Sequence, residues 1–412
     1  MQVQTAKKCN ISYIIVPLSI LLVMVCVMMF TGLWPWKANV YNSYSLQAKA
    51  WLEGRLDLGQ NYEWLELAIR NGRYYVSFPP FPSYMLLPFV WIFGVNTPDH
   101  IIVMFVTVVG AIYAMKLYRH TMRTKKHMEF FVLLLYLASG YLFLGMTGYV
   151  WFIAQSMCFT LSLMSLYYAE CGKGGWALGL WACAVGCRPM VAVYGLLIAR
   201  ILWKQWKKQD TGNTLKNLVQ KKWYWCIGTG LIAISYMVLN YMRFGSVIEF
   251  GHNYLPEFTR TSTGQFHISY FWNNLKNYLR LPKAASDGGM LQFFNADGMA
   301  FWFIAPIFIT FLGAFCYRIV VSVKEKDRRC LDTLVLIPIL AAVHVFILCC
   351  HRTLGGWQFG NRYLVDLMPY LFYGYLQWKA KTGDTVKWNI PIMVWGFSIN
   401  LLGTVLTYNY WI

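Results

Sequence analysis

Long apolar segments recur along this chain and constrain its fold more than any other feature. A helix that crosses a bilayer needs about 20 consecutive apolar residues. We predict spans at the following segments, the last of which is shorter than the others: 13–33, 99–118, 129–147, 150–169, 224–242, 299–320, 331–350, 389–408 and 364–378. Only 13% of the residues are charged, against roughly 25% in soluble domains. The sequence therefore predicts an all-α integral membrane protein that forms a single polytopic domain over residues 1–412.

Two further apolar segments are placed by the distribution of Lys and Arg, which concentrate on the cytoplasmic side. Segment 81–95 is short, and we expect it to lie as a helix at the outer interface. Segment 176–203 is expected to enter and leave the membrane, with Arg188-Pro189 at its outer turn, because Pro breaks a helix. This topology has about eleven transmembrane helices and a cytoplasmic N-terminus. It predicts a multi-pass protein of the inner (plasma) membrane.

The positive charge follows from the same topology. The formal net charge is +19, and most of the excess falls on predicted cytoplasmic segments, where it faces the lipid bilayer. Nucleic acid is therefore not an expected partner. None of the eleven Cys lies in the two large predicted outer loops, 34–98 and 243–298. The His residues show no zinc-binding spacing, so no protein-bound metal site is predicted.

The first outer loop, residues 34–98, is unusually long and polar for a connection between spans. It contains four of the 17 acidic residues. Such loops are typically functional or disordered, and the many aromatic residues here argue against disorder. Helical spacing over 42–55 places Tyr44, Ala48, Trp51 and Leu52 on one face. This pattern predicts an amphipathic interfacial helix that ends at Gly54.

The second half of this loop is expected to change direction twice. Asn71-Gly72 is a turn signal between YEWLELAIR and RYYVSF. Arg73 and Tyr74 begin the second, strand-like run. Pro79-Pro80 ends that run and begins the interfacial helix 81–95.

The second outer loop, residues 243–298, carries a basic pattern. Lys276, Arg280 and Lys283 recur at spacings of four and three, which on a helix places them on one face. Lys and Arg bind phosphate, and Arg does so through a bidentate fork. A lipid-linked phosphate site and an ordinary interfacial amphipathic helix both fit this pattern.

Two more Arg residues are expected on the outer side, Arg188 at its helix break and Arg362 at the top of a span. Ionisable residues at membrane depth are functional candidates, so both join the candidate phosphate-binding set. Arg362 and Asp366 are four residues apart, which also fits a simple helical ion pair. We expect these residues and the two outer loops to converge.

The order of these features resembles the type C glycosyltransferase superfamily. One span precedes a polar loop with Y-x-x-x-A-x-x-x-L-x-x-G, followed by GRYY and by PP before a helix that ends in FG. The segments RFGSVIEFG and GGWQFGNRYLVDLMPY are similar to those of bacterial membrane proteins in the wider group. Its members include protein O-mannosyltransferases, aminoarabinose transferases that act on lipid A, and bacterial cell-envelope glycosyltransferases.

The resemblance implies a multispan enzyme with its active site on the outer face. Such enzymes move a sugar from a polyprenyl-phosphate carrier to an acceptor hydroxyl. The acceptor class is open between an envelope glycan, a lipid and a polymer. In the family an acidic residue of the first outer loop acts as a general base or holds a metal. The charge of the lipid phosphate can be balanced in two ways that fit this chemistry. Either Mg²⁺ or Mn²⁺ binds the phosphate, or Arg and Lys side chains bind it without a metal.

This sequence departs from the family at one position. Members typically carry Asp, often Asp-Glu, shortly before the Tyr of the first-loop helix, whereas this chain has Asn42 there. Asn cannot act as a base. Three explanations compete: a base elsewhere in the loop, a shifted alignment, or a protein that binds the lipid-linked sugar without transferring it. We favour the first, with Glu66 and Asp57 as the candidates.

Each candidate base also has a structural explanation. Asp57 fits a residue that caps a turn, and Glu66 fits a helical pair with Arg70. For the whole protein, the alternatives to a glycosyltransferase are a flippase or carrier for a lipid-linked envelope precursor and a non-catalytic scaffold.

Overall fold

The computed structural model describes residues 11–209, 212, 214–284, 291–294, 296–324, 328–382 and 386–410. Nearly all regular structure in this part of the chain is helical. The first nine helices are α1 (Ser12–Phe30), α2 (Ser43–Leu52), α3 (Phe81–Phe93), α4 (Asp99–Met122), α5 (Met128–Leu137), α6 (Tyr141–Leu144), α7 (Val150–Glu170), α8 (Gly174–Val185) and α9 (Gly195–Gln209).

The second half of the described chain continues the helical pattern. Its helices are α10 (Leu215–Lys222), α11 (Trp225–Phe244), α12 (Pro256–Thr259), α13 (Phe271–Leu279), α14 (Phe301–Ile304), α15 (Ile307–Lys324), α16 (Arg328–Cys349), α17 (Met368–Thr382) and α18 (Val386–Tyr408). Two antiparallel hairpins lie in the outer loops: β1 (Leu67–Arg70) with β2 (Arg73–Val76), and β3 (Lys283–Ala284) with β4 (Leu291–Gln292).

Helix length and composition confirm a membrane-embedded all-α protein. Among the described residues, six helices are long and apolar enough to cross a membrane: α1, α4, α7, α11, α15 and residues 389–408 of α18. Four shorter apolar helices accompany them, at Phe81–Asn96, Met128–Leu137, Gly174–Val185 and Val335–Cys349. The count of eleven spans stays a prediction.

Two predicted spans are interrupted rather than continuous. Segment 129–147 divides into α5 and α6, because the Ser139 hydroxyl accepts from the Tyr141 N–H and so replaces a helical hydrogen bond. Segment 299–320 divides into α14 and α15 at Pro306, which has no N–H to continue a helix.

The predicted break inside segment 176–203 is present. Helix α8 ends at Val185, and a 3-10 helix, Pro189–Tyr194, leads into α9. Arg188 between them is extended, with φ −141° and ψ 98°. This is the conformation expected of a residue that precedes Pro. The break therefore holds the Arg188 side chain at the turn between two short helical arms.

The first outer loop folds into α2, the β1–β2 hairpin and α3. Tyr44 and Ala48 are buried as the helical spacing predicts, but Leu52 of the same predicted face is 49% exposed. The polar side chain of Gln47 is buried too, and it accepts a hydrogen bond from the Ser83 hydroxyl of α3 at 2.9 Å. Helix α2 therefore packs against α3, and polar contacts as well as apolar ones hold it there.

The hairpin confirms the turn predicted at Asn71-Gly72. Leu67 pairs with Val76, and both turn residues have positive φ, 51° and 72°, as a type I′ turn requires. The strand conformation rules out a helical pair between Glu66 and Arg70. The Arg70 guanidinium donates instead to the Arg243 carbonyl at 2.8 Å, which ties the hairpin to α11.

The single basic helical face predicted from Lys276, Arg280 and Lys283 does not form. Helix α13 ends at Leu279, since Pro282 follows closely and cannot continue the helix. Arg280 is extended, and Lys283 lies in β3.

Candidate active site

The outer loops and helix breaks enclose one cavity of about 470 Å³. Helix α2 and the hairpin form one side, and the Arg188 turn and the start of α7 form another. The segments after α11 and α16 complete the wall. Of the residues that the sequence led us to expect together, four line this cavity: Tyr44, Glu66, Arg188 and Arg362.

Glu66 precedes β1 and directs its carboxylate into the cavity. Its Oε2 accepts a hydrogen bond from the Trp151 indole N–H at 3.2 Å. Glu66 is exposed, since the open cavity admits water to its side chain, although protein atoms crowd its carboxylate. Burial raises the pKa of Glu66, and the Trp151 hydrogen bond and the Arg362 charge oppose that shift. A carboxylate with these properties is a stronger base than an ordinary surface Glu.

Arg188 lies opposite, in an ion pair with Asp366. Its Nε donates to Asp366 Oδ2 at 2.9 Å, and the Arg188 guanidinium lies 4.7 Å from the Tyr363 ring centre. The Asp366 side chain is 1% exposed and that of Arg188 is 19% exposed. Within the described residues, the two terminal Arg188 nitrogen atoms make no hydrogen bond. They remain available to an anion in the cavity.

Asp366 therefore pairs with Arg188 and not with Arg362 as the helical spacing suggested. The reason is that residues Arg362–Leu367 form a 3-10 helix, in which positions four apart no longer share a face. Gln155 of α7 links Arg362 to Asp366. Its Nε2 donates to the Arg362 carbonyl at 2.9 Å and to Asp366 Oδ1 at 3.2 Å.

The Arg362 side chain is held by backbone and amide groups. Its Nε donates to the Gly355 carbonyl at 2.8 Å, and its Nη1 donates to Gln155 Oε1 at 3.3 Å. Gly355 has φ +110°, and a Cβ at this position would lie 2.7 Å from Arg362 Nε. Glycine is thus required at position 355 for two reasons: its backbone conformation, and the lack of space for a side chain beside the Arg362 guanidinium.

Four acidic or histidine residues that line the cavity were not selected from the sequence: Glu249, His252, Glu257 and His351. Glu249 and His252 lie in RFGSVIEFGHNY, Glu257 follows that segment, and His351 begins HRTLGG. Their position in or beside these motifs is the sequence signal that could have identified them. Burial lowers the pKa of His252 to about 3 and that of His351 to about 4, so both rings are neutral at pH 7. Burial also raises the pKa of Glu257, against the charge of Arg352.

Asp57, the other candidate base, lies outside this cavity. Its Oδ1 accepts the Gly59 N–H at 2.9 Å, and its Oδ2 is 3.7 Å from Arg73. Tyr74 is likewise outside, and its carbonyl accepts from the Leu58 N–H at 2.8 Å. Through these contacts Asp57 and Tyr74 stabilise the loop.

The remaining candidates also lie away from the cavity. Asn42 donates to the Val95 carbonyl at 3.2 Å and faces a separate outer pocket. Arg280 donates to the Gly298 carbonyl at 2.9 Å and lies 3.9 Å from the Phe294 ring centre. Lys276 and Lys283 are exposed. Their phosphate-binding role stays a prediction without support from the geometry.

An apolar groove of about 610 Å³ lies next to the cavity. Helices α13, α15, α16 and α17 form it, with Phe311, Ala342 and Phe346 among its lining residues. Leu364 and Leu367 also line it, from the same 3-10 helix that carries Arg362. The groove and the charged cavity therefore meet at one short segment.

Metal ligands do not gather in the part of the chain that the structure describes. It contains no group of three or more His, Cys, Asp or Glu side chains placed to hold an ion. Mg²⁺ or Mn²⁺ would therefore lack a ready set of protein ligands among these residues.

The architecture is similar to that of a known enzyme. ArnT from Cupriavidus metallidurans, a type C glycosyltransferase whose crystal structure contains undecaprenyl phosphate, superposes with a TM-score of 0.52 at 15% sequence identity. The alignment covers 92% of this chain and 62% of ArnT, so this chain spans less than two thirds of that protein. No protein-family profile and no curated protein matches the sequence. The superposition confirms the type C glycosyltransferase fold that the sequence resembles.

Proposed function

We propose that this protein transfers a sugar from a polyprenyl-phosphate carrier to a hydroxyl group of a cell-envelope acceptor. The observation that carries the proposal is that the Glu66 carboxylate and the Arg188 guanidinium line one cavity, which adjoins an apolar groove. A carboxylate, a cation and an apolar groove are the three groups that this reaction needs. The fold shared with ArnT, which binds undecaprenyl phosphate, supports the donor class.

Glu66 is the proposed general base. It accepts the proton of the acceptor hydroxyl as that oxygen forms a bond to the anomeric carbon of the donor sugar. The raised pKa of Glu66 suits this role, because a base works best when its pKa approaches the working pH. Trp151 holds one carboxylate oxygen at 3.2 Å and leaves the other free for the acceptor.

Arg188 is the proposed group for the departing phosphate. As the bond from the anomeric carbon to the phosphate oxygen breaks, its electron pair stays on polyprenyl phosphate and adds negative charge. The two terminal nitrogen atoms of Arg188 are placed to donate to that phosphate. Asp366 holds Nε at 2.9 Å and so fixes the orientation of the fork. Arg362 adds positive charge to the same wall of the cavity.

The apolar groove is the proposed site of the polyprenyl chain. Neighbouring residues of the segment Arg362–Leu367 line the groove and the cavity, which supports a lipid that lies in the groove with its phosphate toward the cavity. We place this cavity on the outer face of the plasma membrane, with the N-terminus in the cytoplasm. The positive-inside distribution of Lys and Arg supports that orientation.

A transfer assay tests the proposal. The purified protein in nanodiscs is given a panel of radiolabelled polyprenyl-phosphate sugars and crude envelope acceptors. We expect wild type to move label to an acceptor and Glu66→Gln to lower the rate about 10²-fold or more. Asp57→Asn is the matched control, an acidic residue of the same loop that lies outside the cavity, and it should retain transfer.

Each outcome separates the explanations. Equal transfer by wild type and Glu66→Gln keeps the enzyme but removes Glu66 as its base. Tight binding of the donor lipid without transfer under any condition favours the carrier alternative.

A further inference from the structure

A second pocket of about 350 Å³ is formed by the first loop, and none of its lining residues was given a role in the reaction proposed above. Side chains from both ends of the loop line it. They include Asn39, Asn42, Lys49, Glu53, Tyr62 and Trp64. The pocket is open and mixes aromatic rings with amide and charged groups.

An exposed indole dominates one wall of this pocket. Trp64 is 59% exposed, yet its ring is fixed, because its Nε1 donates to the Val40 carbonyl at 3.0 Å. Tyr62 packs edge-on against it at 5.7 Å and 83°. Asn61 and Glu63, which precede Trp64 by three residues and by one, are exposed and polar, whereas Leu65 after it is buried. A rigid apolar face held out in polar surroundings points to a ligand with one apolar face.

The rest of the wall supplies hydrogen-bonding groups. Lys49 and Glu53 form an ion pair at 3.8 Å, and their side chains are 50% and 40% exposed. Asn42 uses its amide nitrogen on the Val95 carbonyl at 3.2 Å, which leaves its amide oxygen as an acceptor. Donors and acceptors around an aromatic face match a sugar ring, whose hydroxyls lie at its edge and whose C–H groups form its faces. Arg55 also lines the pocket and pairs with Glu53, so the wall carries both signs of charge.

Two packed rings, Tyr41 and Trp151, connect the wall of the pocket to the wall of the active-site cavity. Val40 and Asn42 line the pocket, and Tyr41 between them packs against Trp151 with ring centres 5.3 Å apart. Trp151 lines the cavity and donates to Glu66.

The chain itself provides a second connection. Trp64 lines the pocket and Glu66 lines the cavity. Two residues of extended chain span at most about 7 Å. The backbones of Trp64 and Glu66 therefore lie within the length of a short oligosaccharide.

We infer that this outer pocket binds one sugar unit of a saccharide acceptor, so that a hydroxyl of a neighbouring unit reaches Glu66. The inference rests on the proposed function for the identity of the reaction, and it names the acceptor class as a glycan. Trp64 stacks on the bound unit, while Asn42 and the Lys49–Glu53 pair contact its hydroxyls.

Two measurements test the inference, and the first does not depend on transfer. Purified protein in nanodiscs is applied to an array of envelope-type oligosaccharides. Wild type should bind at least one member, Trp64→Ala should lose that binding about tenfold or more, and Trp64→Phe should retain part of it. Trp91→Ala is the matched control, since Trp91 is 77% exposed and lies outside the pocket. It should bind as wild type does.

The second measurement uses the transfer assay with the saccharide that binds. Trp64→Ala should raise KM for the acceptor about tenfold and leave KM for the lipid donor unchanged. Binding equal to wild type in Trp64→Ala, or no binding to any array member, would overturn the inference. Absence of transfer in every variant while the array result holds would overturn the proposed function alone.

Discussion

Arg188 and Asp366 form a buried ion pair that joins two helix breaks separated by nearly half of the chain. Nε of Arg188 lies 2.9 Å from Oδ2 of Asp366. Arg188 precedes the 3-10 helix Pro189–Tyr194, and Asp366 lies within the 3-10 helix Arg362–Leu367. A buried ion pair costs desolvation on both sides. The two terminal nitrogens of Arg188 make no hydrogen bond among the described residues and face the cavity. The ion pair therefore fits a role in orienting the Arg188 side chain.

Asp366→Asn is expected to destabilise the protein and slow transfer. It leaves Arg188 without its counter-charge in a largely buried place, which costs about 3 kcal/mol or more of unfolding free energy. Arg188→Met combined with Asp366→Asn removes both charges. The double variant should therefore lose less stability than the sum of the two single variants. Chemical denaturation of the four proteins in one detergent measures the coupling, and additive losses would contradict it.

The transfer rate is expected to fall on the acid side through the pKa of Glu66. Burial raises that pKa above the usual 4.5, and only the ionised carboxylate accepts a proton. The acid limb of the kcat/KM profile should therefore lie above pH 4.5. A limb at the usual carboxyl value would show that Glu66 does not titrate in the reaction.

The same pKa shift predicts an effect on stability. A carboxyl whose pKa is raised by folding stabilises the fold at low pH, and this contribution is lost as the pH rises through the folded-state pKa. Glu66→Gln removes the charge that burial disfavours. We expect its Tm at pH 7 to equal or exceed that of wild type while transfer is lost. A lower Tm would indicate that Glu66 has a structural role.

Gly355→Ala and Gly356→Ala form a matched pair. Both positions have positive φ, +110° and +62°, so each substitution carries a backbone cost of about 1–2 kcal/mol. Only a Cβ on Gly355 meets Arg362, at 2.7 Å from Nε, whereas a Cβ on Gly356 enters open space. Gly355→Ala should therefore reduce kcat/KM about tenfold more than Gly356→Ala does. Equal losses would mean that the Arg362 position does not affect transfer.

Ala342→Trp is expected to fill the apolar groove. The proposed polyprenyl chain would then be excluded, so KM should rise for a long-chain donor and change little for an analogue with one or two isoprene units. Leu231→Trp is the control, because Leu231 is 64% exposed on α11 and lies outside the groove. An equal effect on long and short donors would show that the chain binds elsewhere.

Elements with a strong local signal could be predicted from the sequence. Asn71-Gly72 dictates the hairpin turn, and Arg188-Pro189 dictates the helix break, because backbone geometry near Gly and Pro depends little on distant residues. Glu66 was selected as a candidate base because it is a carboxylate of the first outer loop, and the structure places it in the cavity.

Pairings between distant segments could not be predicted in the same way. Periodicity assigned Asp366 to Arg362 and placed Lys276, Arg280 and Lys283 on one face. Both predictions assumed a continuous α-helix, whereas the chain is a 3-10 helix at Arg362–Leu367 and leaves the helix after Leu279.

The sequence by itself determined the membrane setting, the two long loops between apolar segments and the chemical types available in those loops, since apolar length and turn residues act locally. Only the tertiary structure decided that Glu66 and Arg188 share a cavity, that Asp57 lies outside it and that Glu257 and His351 lie inside. The physical reason is that these residues meet through packing of α2, α7 and the segments after α11 and α16. Contacts between such distant parts of the chain leave no periodic trace in the sequence.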